Sequence, residues 1–197
     1  MQVAIVYESL FGNTHQVAAA VAEGVREAEP EARVSCLAVG DALPEEILGA
    51  DLLVVGGPTQ MLGMSTHMTR SMVLHSDETE LTEPVAAGAA PPLTTESGAE
   101  GPGLRAWFHD LPKAPRGRQA AAFDTRLATA LAGGAAHGID HRLRRHGYEM
   151  VCDPEGFVVD SAEGPLKAGE LDRAREWGAA IASRATVYAT EPKTTWA

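Results

Sequence analysis

The sequence alternates short apolar runs with segments in which apolar residues recur at helical spacing. One run, Leu52-Leu53-Val54-Val55, is apolar at every position, which is typical of a strand buried on both faces of a parallel sheet. Strand patterns that alternate with helix patterns five times predict a doubly wound parallel sheet with right-handed crossovers. The predicted strands cover residues 3–7, 33–37, 52–56, 119–123 and 148–152, and residues 157–159 either extend the last strand or pair beside it.

The helix patterns lie between these strands, and each has one apolar face that can pack on the sheet. Leu104, Trp107, Phe108 and Leu111 show this spacing most clearly, and Pro112 follows them as a helix stop. The other predicted helices lie at residues 17–28, 44–48, 135–143 and 171–185.

A single domain is expected to include residues 1–197, because 45% hydrophobic residues are enough for one large core. Residues 76–103 interrupt the alternation with Ala, Pro, Gly, Thr and Glu, so we predict an inserted irregular loop there. This insertion is either a surface excursion or a lid or partner-docking loop. The tail after residue 188 is predicted to fray.

The chain is acidic, with 27 Asp and Glu against 16 Lys and Arg and a net charge of −11. This balance argues against a nucleic-acid surface, and it either favours basic protein partners or serves solubility alone. No charged leader precedes an apolar segment, and no apolar run approaches the roughly 20 residues of a membrane helix. A cytoplasmic protein that contacts no membrane is therefore expected.

The first strand leads directly into Ser9-Leu10-Phe11-Gly12-Asn13-Thr14, and a helix pattern begins there. Small, hydroxylated and glycine residues at a helix start form a pocket of backbone N–H groups at the positive end of the helix dipole. Such a pocket can hold a phosphate. No Lys or Arg occurs among the first 25 residues, which excludes a P-loop because a P-loop needs a lysine on the phosphates.

Two more loops contain glycine and follow the third and fourth predicted strands. They cover residues 56–65 and 124–136. In an open parallel sheet, ligands bind beyond the carboxyl ends of the strands, where the strand order reverses. Glycine and alanine in these loops are expected to let a flat ligand approach the backbone closely.

The chain resembles the flavodoxin-like family of FMN-binding proteins. The phosphate loop of that family is matched by Ser9, Gly12, Asn13 and Thr14, and its flavin-flanking loop resembles Gly57-Pro58-Thr59. Three later segments resemble short flavodoxin domains of actinobacteria and of diflavin proteins; they are Phe123-Asp124-Thr125, Gly134-Ala135-Ala136 and Glu163-Gly164-Pro165-Leu166. The resemblance implies a three-layer α/β/α fold with a five-stranded parallel sheet in the order 2-1-3-4-5.

The same resemblance implies the residues that would bind FMN. The phosphate would be held by Ser9, Leu10, Phe11, Gly12, Asn13 and Thr14, and the ring would be bracketed by Pro58, Thr59, Gln60, Met61, Gly63, Asp124, Thr125 and Arg126. Other interpretations from the residues alone remain. Ser9 and Thr14 could be ordinary helix caps, and Thr59 and Asp124 could serve a turn or cap at a strand end.

Classical flavodoxins place aromatic side chains on both faces of the ring, but here no Phe, Tyr or Trp occurs in the loop at residues 56–65 or in residues 124–147. The ring would then pack on Met or Leu, or be covered by the insertion or by a second subunit of a homodimer. Arg126 either stabilises negative charge on the reduced ring or is a solvated surface residue.

Cysteine and histidine usage predicts no metal site. Cys36 and Cys152 lack metal-ligand spacing and are expected to be reduced core residues on opposite edges of the sheet, beyond disulfide reach. Met64, Met68 and Met72 repeat every four residues beside His67, Ser71 and His75, where a copper site is conceivable but a core-facing methionine stripe is favoured.

The leading hypothesis is an FMN-binding electron-transfer protein whose partner is a basic redox protein or a reductase. In this function no side chain acts as acid or base, so no catalytic residue is predicted. The alternative is an enzyme, an FMN-dependent NAD(P)H or quinone oxidoreductase, which the open ring face and Arg126 would favour. A third possibility is a binding module that keeps the fold without the flavin.

Overall fold

The computed structural model describes residues 1–60, 63–66, 68, 101–128, 134–161 and 163–190, with side chains described as far as residue 186. In chain order the described elements are β1 Gln2–Tyr7, α1 Asn13–Ala28, β2 Arg33–Ala38, α2 Pro44–Gly49, β3 Leu52–Gln60, β4 Gly63–Met64, α3 Leu104–Asp110, β5 Gln119–Leu127, α4 Ala135–Arg145, β6 Glu149–Met150, β7 Glu155–Val159 and α5 Glu170–Thr190. Most of the predicted insertion at residues 76–103 and most of the predicted tail after residue 188 lie outside the described residues, so those two predictions stay untested.

The main sheet is parallel. β1 lies between β2 and β3, and β5 pairs with the far side of β3. Two short strands then share the next position: β6 pairs with the start of β5, and β7 pairs with its end. Pro154 lies between β6 and β7 and has no N–H to donate to β5. The predicted order 2-1-3-4-5 is therefore confirmed, with residues 157–159 extending an interrupted fifth strand.

Side chains of the sheet alternate between two apolar layers, as the two-residue strand period requires. The layer under α1 and α5 includes Val3, Ile5, Val17, Val21, Phe123, Phe157 and Ile181. The layer under α2, α3 and α4 includes Ala4, Val6, Ile47, Leu53, Leu104, Trp107, Ile139 and Leu143. The predicted three-layer α/β/α architecture is confirmed.

β3 and β5 are both longer than the apolar pattern predicts. Parallel pairing continues from Gly56 with Phe123 to Pro58 with Thr125, and the last two residues of β3 then pair with β4 in antiparallel fashion. The prediction that residues 56–60 and 124–126 belong to loops was therefore wrong. The polar residue Asp124 lies in a strand, and neighbouring elements donate two hydrogen bonds to one of its carboxylate oxygens.

Both cysteines are free and half-buried. Cys36 lies on the edge strand β2 and Cys152 lies just after β6, so they occupy opposite edges of the sheet as predicted. Burial raises the pKa of the Cys36 thiol to about 11, although Arg26 nearby opposes that shift.

In the described residues no group of three His, Cys, Asp or Glu side chains could hold a metal ion, and no helix is long and apolar enough to cross a membrane.

Helices α1 and α5 pack closely through two glycines. A Cβ atom on Gly24 would lie 1.9 Å from the carbonyl oxygen of Arg175, and one on Gly178 would lie 2.3 Å from the carbonyl oxygen of Val21. These contacts are with backbone atoms, which a side-chain rotation cannot relieve. The distance between the two helices therefore depends on glycine at both positions.

Gly24→Ala should destabilise the protein by about 1–3 kcal/mol, because α1 and α5 must separate to accommodate the methyl group. This loss should appear even though alanine is the better helix former by about 1 kcal/mol. Gly138→Ala in α4 is the matched control, since its Cβ would lie 3.3 Å from the flexible side chain of Met64. Urea unfolding measures both variants, and equal stability of Gly24→Ala and wild type would contradict the packing argument.

Candidate functional site

The carboxyl end of β1 leads into the start of helix α1. The residue preceding this helix is Gly12, with φ 83°, a left-handed conformation that favours glycine. No side chain caps the helix, so the structure does not support the interpretation of Ser9 and Thr14 as ordinary caps. The N–H of Gly12 donates to Ser9 Oγ at 3.1 Å, which closes the turn before the helix. The N–H groups of the first helical turn have no acceptor within the helix and are suited to an anion.

The side chains at the start of α1 form hydrogen bonds away from the helix axis. Asn13 Nδ2 donates to the carbonyl oxygen of Glu163 at 2.7 Å, and the Thr14 and Thr125 hydroxyl oxygens lie 2.8 Å apart in a buried contact. These bonds anchor α1 to β5 and to the segment after β7. They do so without using the N–H groups of the helix.

Two glycines in β3 are packed against side chains of the core. A Cβ on Gly56 would lie 2.0 Å from the Phe123 ring, and one on Gly57 would lie 2.7 Å from Leu104. The core therefore needs glycine at both positions, because Phe123 and Leu104 occupy the space that a side chain would take. The prediction that glycines in this segment let a flat ligand approach the backbone stays a prediction. Gly63 is different, because no atom lies within 4 Å of its Cβ position.

Thr59 and Asp124 bind each other at the start of α4. The Thr59 hydroxyl donates to Asp124 Oδ2 at 2.9 Å and accepts the N–H of Ala135 at 2.8 Å. The same carboxylate oxygen accepts the N–H of Ala136 at 2.9 Å, and Asp124 is fully buried. Thr59 and Asp124 thus accept the first N–H groups of α4, which supports the alternative interpretation that they serve as a cap at the strand ends. They position α4 next to the ends of β3 and β5.

Arg126 is paired with this buried carboxylate. Its Nε lies 3.6 Å from Asp124 Oδ1, and its guanidinium lies flat against Gly156, where a Cβ would be 2.2 Å from Nη2. The Arg126 side chain is 35% exposed, so it is neither a fully solvated charge nor a buried one.

The pKa of Asp124 is raised from 3.8 by burial, which outweighs the hydrogen bonds from Ala136 and Thr59 and the charges of Arg126 and His137. Its second oxygen, Oδ1, has no hydrogen-bond partner within the described part of the chain. The carboxyl group is thus held in place by one oxygen, while burial disfavours its charged form.

Glu8 is a buried site residue that the sequence patterns did not single out. It follows β1 directly and is 3% exposed. One carboxylate oxygen accepts the N–H of Leu104 at 2.8 Å, and the other accepts the hydroxyl of Ser65. It therefore joins β1 to the segment after β4 and to the start of α3. The available signal was an acidic residue placed between an apolar strand and the first glycine-containing loop.

The remaining predicted residues lie around the same end of the sheet, except Met61, which falls outside the described residues. Leu10 is buried, whereas Phe11, Pro58 and Gln60 are half-buried. Gln60 Oε1 is a buried acceptor that has no hydrogen-bond partner in the described residues. The structure thus brings the ends of β1, β3 and β5 together through hydrogen bonds between predicted residues.

The chain is similar to known proteins in part of its sequence and in its fold. A family model described as Flavodoxin matches residues 5–91. A flavodoxin of Aquifex aeolicus (strain VF5) is 41% identical over 69 residues, which are 35% of this chain and 37% of that protein. The chain thus spans just over a third of the length of the curated relative that it matches.

Solved structures extend the likeness to nearly the whole fold. A flavodoxin from the domain Archaea matches with a TM-score of 0.60 and 22% identity, covering 94% of this chain and 99% of that one. Oxidised Flavodoxin 1 from Bacillus cereus matches with a TM-score of 0.60 and 16% identity, covering 93% and 98%. At these identities the likeness concerns the fold.

Asp124→Asn should change how stability depends on pH. Because the folded pKa of Asp124 is raised, its contribution is fully present below pH 3.8 and is lost as pH rises through the folded pKa. Asparagine can accept the same two bonds and does not titrate. The unfolding free energy of wild type minus that of Asp124→Asn should therefore fall as pH rises from below 3.8 to neutral.

Asp110→Asn is the control for this comparison, because it removes the same charge from a side chain that is 82% exposed. Urea unfolding at several pH values measures all three proteins. A difference between wild type and Asp124→Asn that stays constant with pH would contradict the burial of a titrating carboxyl group.

Proposed function

We propose that this chain, which is flavodoxin-like in its fold and in its N-terminal sequence, binds FMN and transfers electrons. The observation that carries the proposal is the start of α1, where Gly12 has a left-handed conformation and no side chain caps the helix. It lies at the carboxyl end of β1, between β2 and β3, where the strand order reverses. This is the position at which sheets of this topology bind ligands.

The phosphate of FMN fits the chemistry of this helix start. A dianion is stabilised by several N–H groups at the positive end of a helix of 16 residues. Ser9 and Thr14 add hydroxyl groups, and each of these can still donate or accept a further bond. The first 25 residues contain no Lys or Arg, so backbone amides and hydroxyls would bind the phosphate without a cation from this segment.

The ring of FMN would lie against the ends of β3 and β5. Gln60 Oε1 is a buried, unbonded acceptor among the described residues and suits a ring N–H donor. Thr59 and Asp124 contribute through position, because their polar atoms bind each other and α4. Thr125 links this region to the phosphate loop through Thr14. Bound FMN would supply one- and two-electron redox chemistry, and no side chain of the site needs to act as acid or base.

The partner in this proposal is a basic redox protein or a reductase. The net charge of −11 would steer a basic protein to this chain and keep the encounter short and dependent on salt. A cytoplasmic location, and a homodimer in which a second copy covers the ring, are further parts of the proposal.

The second candidate is an FMN-dependent NAD(P)H or quinone reductase. It is favoured by the lack of aromatic residues in the segments that would flank the ring, which leaves a face for a stacked substrate. The other argument for it is Arg126, whose permanent positive charge would stabilise negative charge on a reduced ring. A module that has lost the flavin is the third candidate.

FMN should bind to the purified apoprotein with a dissociation constant of about 1 μM or lower, measured by quenching of flavin fluorescence. Riboflavin should bind more weakly by at least about tenfold, since it lacks the phosphate that the α1 N-terminus holds. Failure to bind FMN would refute the proposal and leave the flavin-free module. Equal affinities for FMN and riboflavin would contradict the phosphate site.

The holoprotein should accept electrons from a separate reductase and pass them to a basic acceptor such as cytochrome c. The rate should fall as ionic strength rises, because steering between opposite charges is screened. Steady oxidation of NAD(P)H by the holoprotein alone would favour the reductase instead.

A further inference from the structure

We propose that the turn between β7 and α5, residues 163–165, is a positioning element of the FMN phosphate site. It acts through Asn13, by holding the first turn of α1 in the orientation that presents its N–H groups. This inference rests on the proposed function. The turn lies outside residues 5–91, which are the part of the chain that matches the Flavodoxin family model.

The turn is internally well defined. After β7 the chain reverses, and the N–H of Asp160 donates to the carbonyl of Pro165 at 2.9 Å. The N–H of Lys167 donates to the carbonyl of Val158 at 2.9 Å. Across the end of the turn, the hydroxyl of Ser161 donates to the carbonyl of Gly164 at 2.6 Å. These hydrogen bonds join the two sides of the turn and so restrict the position of the Glu163 carbonyl group.

The contact with α1 is made by the side chain of Asn13. Its Nδ2 donates to the carbonyl of Glu163 at 2.7 Å. The next residue, Gly164, lies so close that a Cβ would be 2.5 Å from Asn13 Oδ1 and 2.6 Å from Nδ2. Gly164 also has φ 111°, a conformation that favours glycine. Glycine therefore allows the turn to approach the Asn13 side chain.

This contact matters because α1 has no capping side chain. A helix end without a cap frays, and frayed N–H groups must be ordered again before they can bind an anion. Asn13 and Thr14 hold the end from the side, through Glu163 and Thr125 respectively. Within the described part of the chain, the N–H groups of Asn13 and Thr14 are then ordered in advance and donate to no protein acceptor, so they can bind the phosphate. Loss of the Asn13 contact should therefore weaken binding of the phosphate and leave the ring contacts in place.

Asn13→Ala and Gly164→Ala test the proposal. Each should raise the FMN dissociation constant by roughly fivefold to tenfold, equivalent to the net value of about one hydrogen bond. Each should leave the riboflavin dissociation constant unchanged. Gly169→Ala is the matched control, because Gly169 also has a positive φ, 86°, but nothing lies within 4 Å of its Cβ position. It carries the same kind of backbone strain without touching Asn13.

The double variant Asn13→Ala/Gly164→Ala should bind FMN about as well as Asn13→Ala alone, because both changes remove the same contact. Thermal unfolding of each apoprotein checks that all variants fold. If folded Asn13→Ala and Gly164→Ala bind FMN as tightly as Gly169→Ala, the inference is overturned. Equal weakening of FMN and riboflavin binding would also overturn it, because the turn would then support the whole site. Wild type that binds no FMN would instead refute the proposed function.

Discussion

The hydrogen bonds that hold the start of α1 from the side are the interactions on which the proposed site depends. Gly12 begins the helix without a side-chain cap, and the two residues after it bond to Glu163 and Thr125 instead. A cap would have used one of the N–H groups that an anion needs. Anchoring from the side orders the helix end without using the N–H groups of Asn13 and Thr14, which a ligand can then bind.

The other strand ends are joined to this helix start by a connected set of polar contacts. Thr125, in β5, bonds to α1, and its neighbour Asp124 binds Thr59 of β3 and the start of α4. Glu8 joins the end of β1 to α3. Buried polar groups have low energy only when they are satisfied, so these contacts favour one arrangement of the loops. This arrangement buries the Asp124 carboxyl group, and burial disfavours its charged form.

Apolar periodicity predicted the five parallel strand positions and a local motif predicted the helix start, whereas the strand order was implied by the resemblance to the flavodoxin-like family. The periodicity misjudged where β5 ends, since the apolar pattern stops at Asp124 although the strand continues. The burial of that residue depends on Thr59, 65 positions away. The packing of Gly56 in β3 was also not predictable, because only the fold shows that Phe123 fills the space beside it. The bond from Asn13 spans 150 positions, and no local pattern predicts such a contact.

The central claim is that amide groups at the start of α1 bind the phosphate of FMN directly. Two-dimensional ¹H–¹⁵N NMR of the labelled apoprotein tests it, because an amide that donates to a phosphate shifts strongly downfield. The account predicts that FMN shifts the amide signals of Asn13 and Thr14 far more than riboflavin does. If FMN binds and these two signals do not move, the phosphate is held elsewhere and the account is wrong.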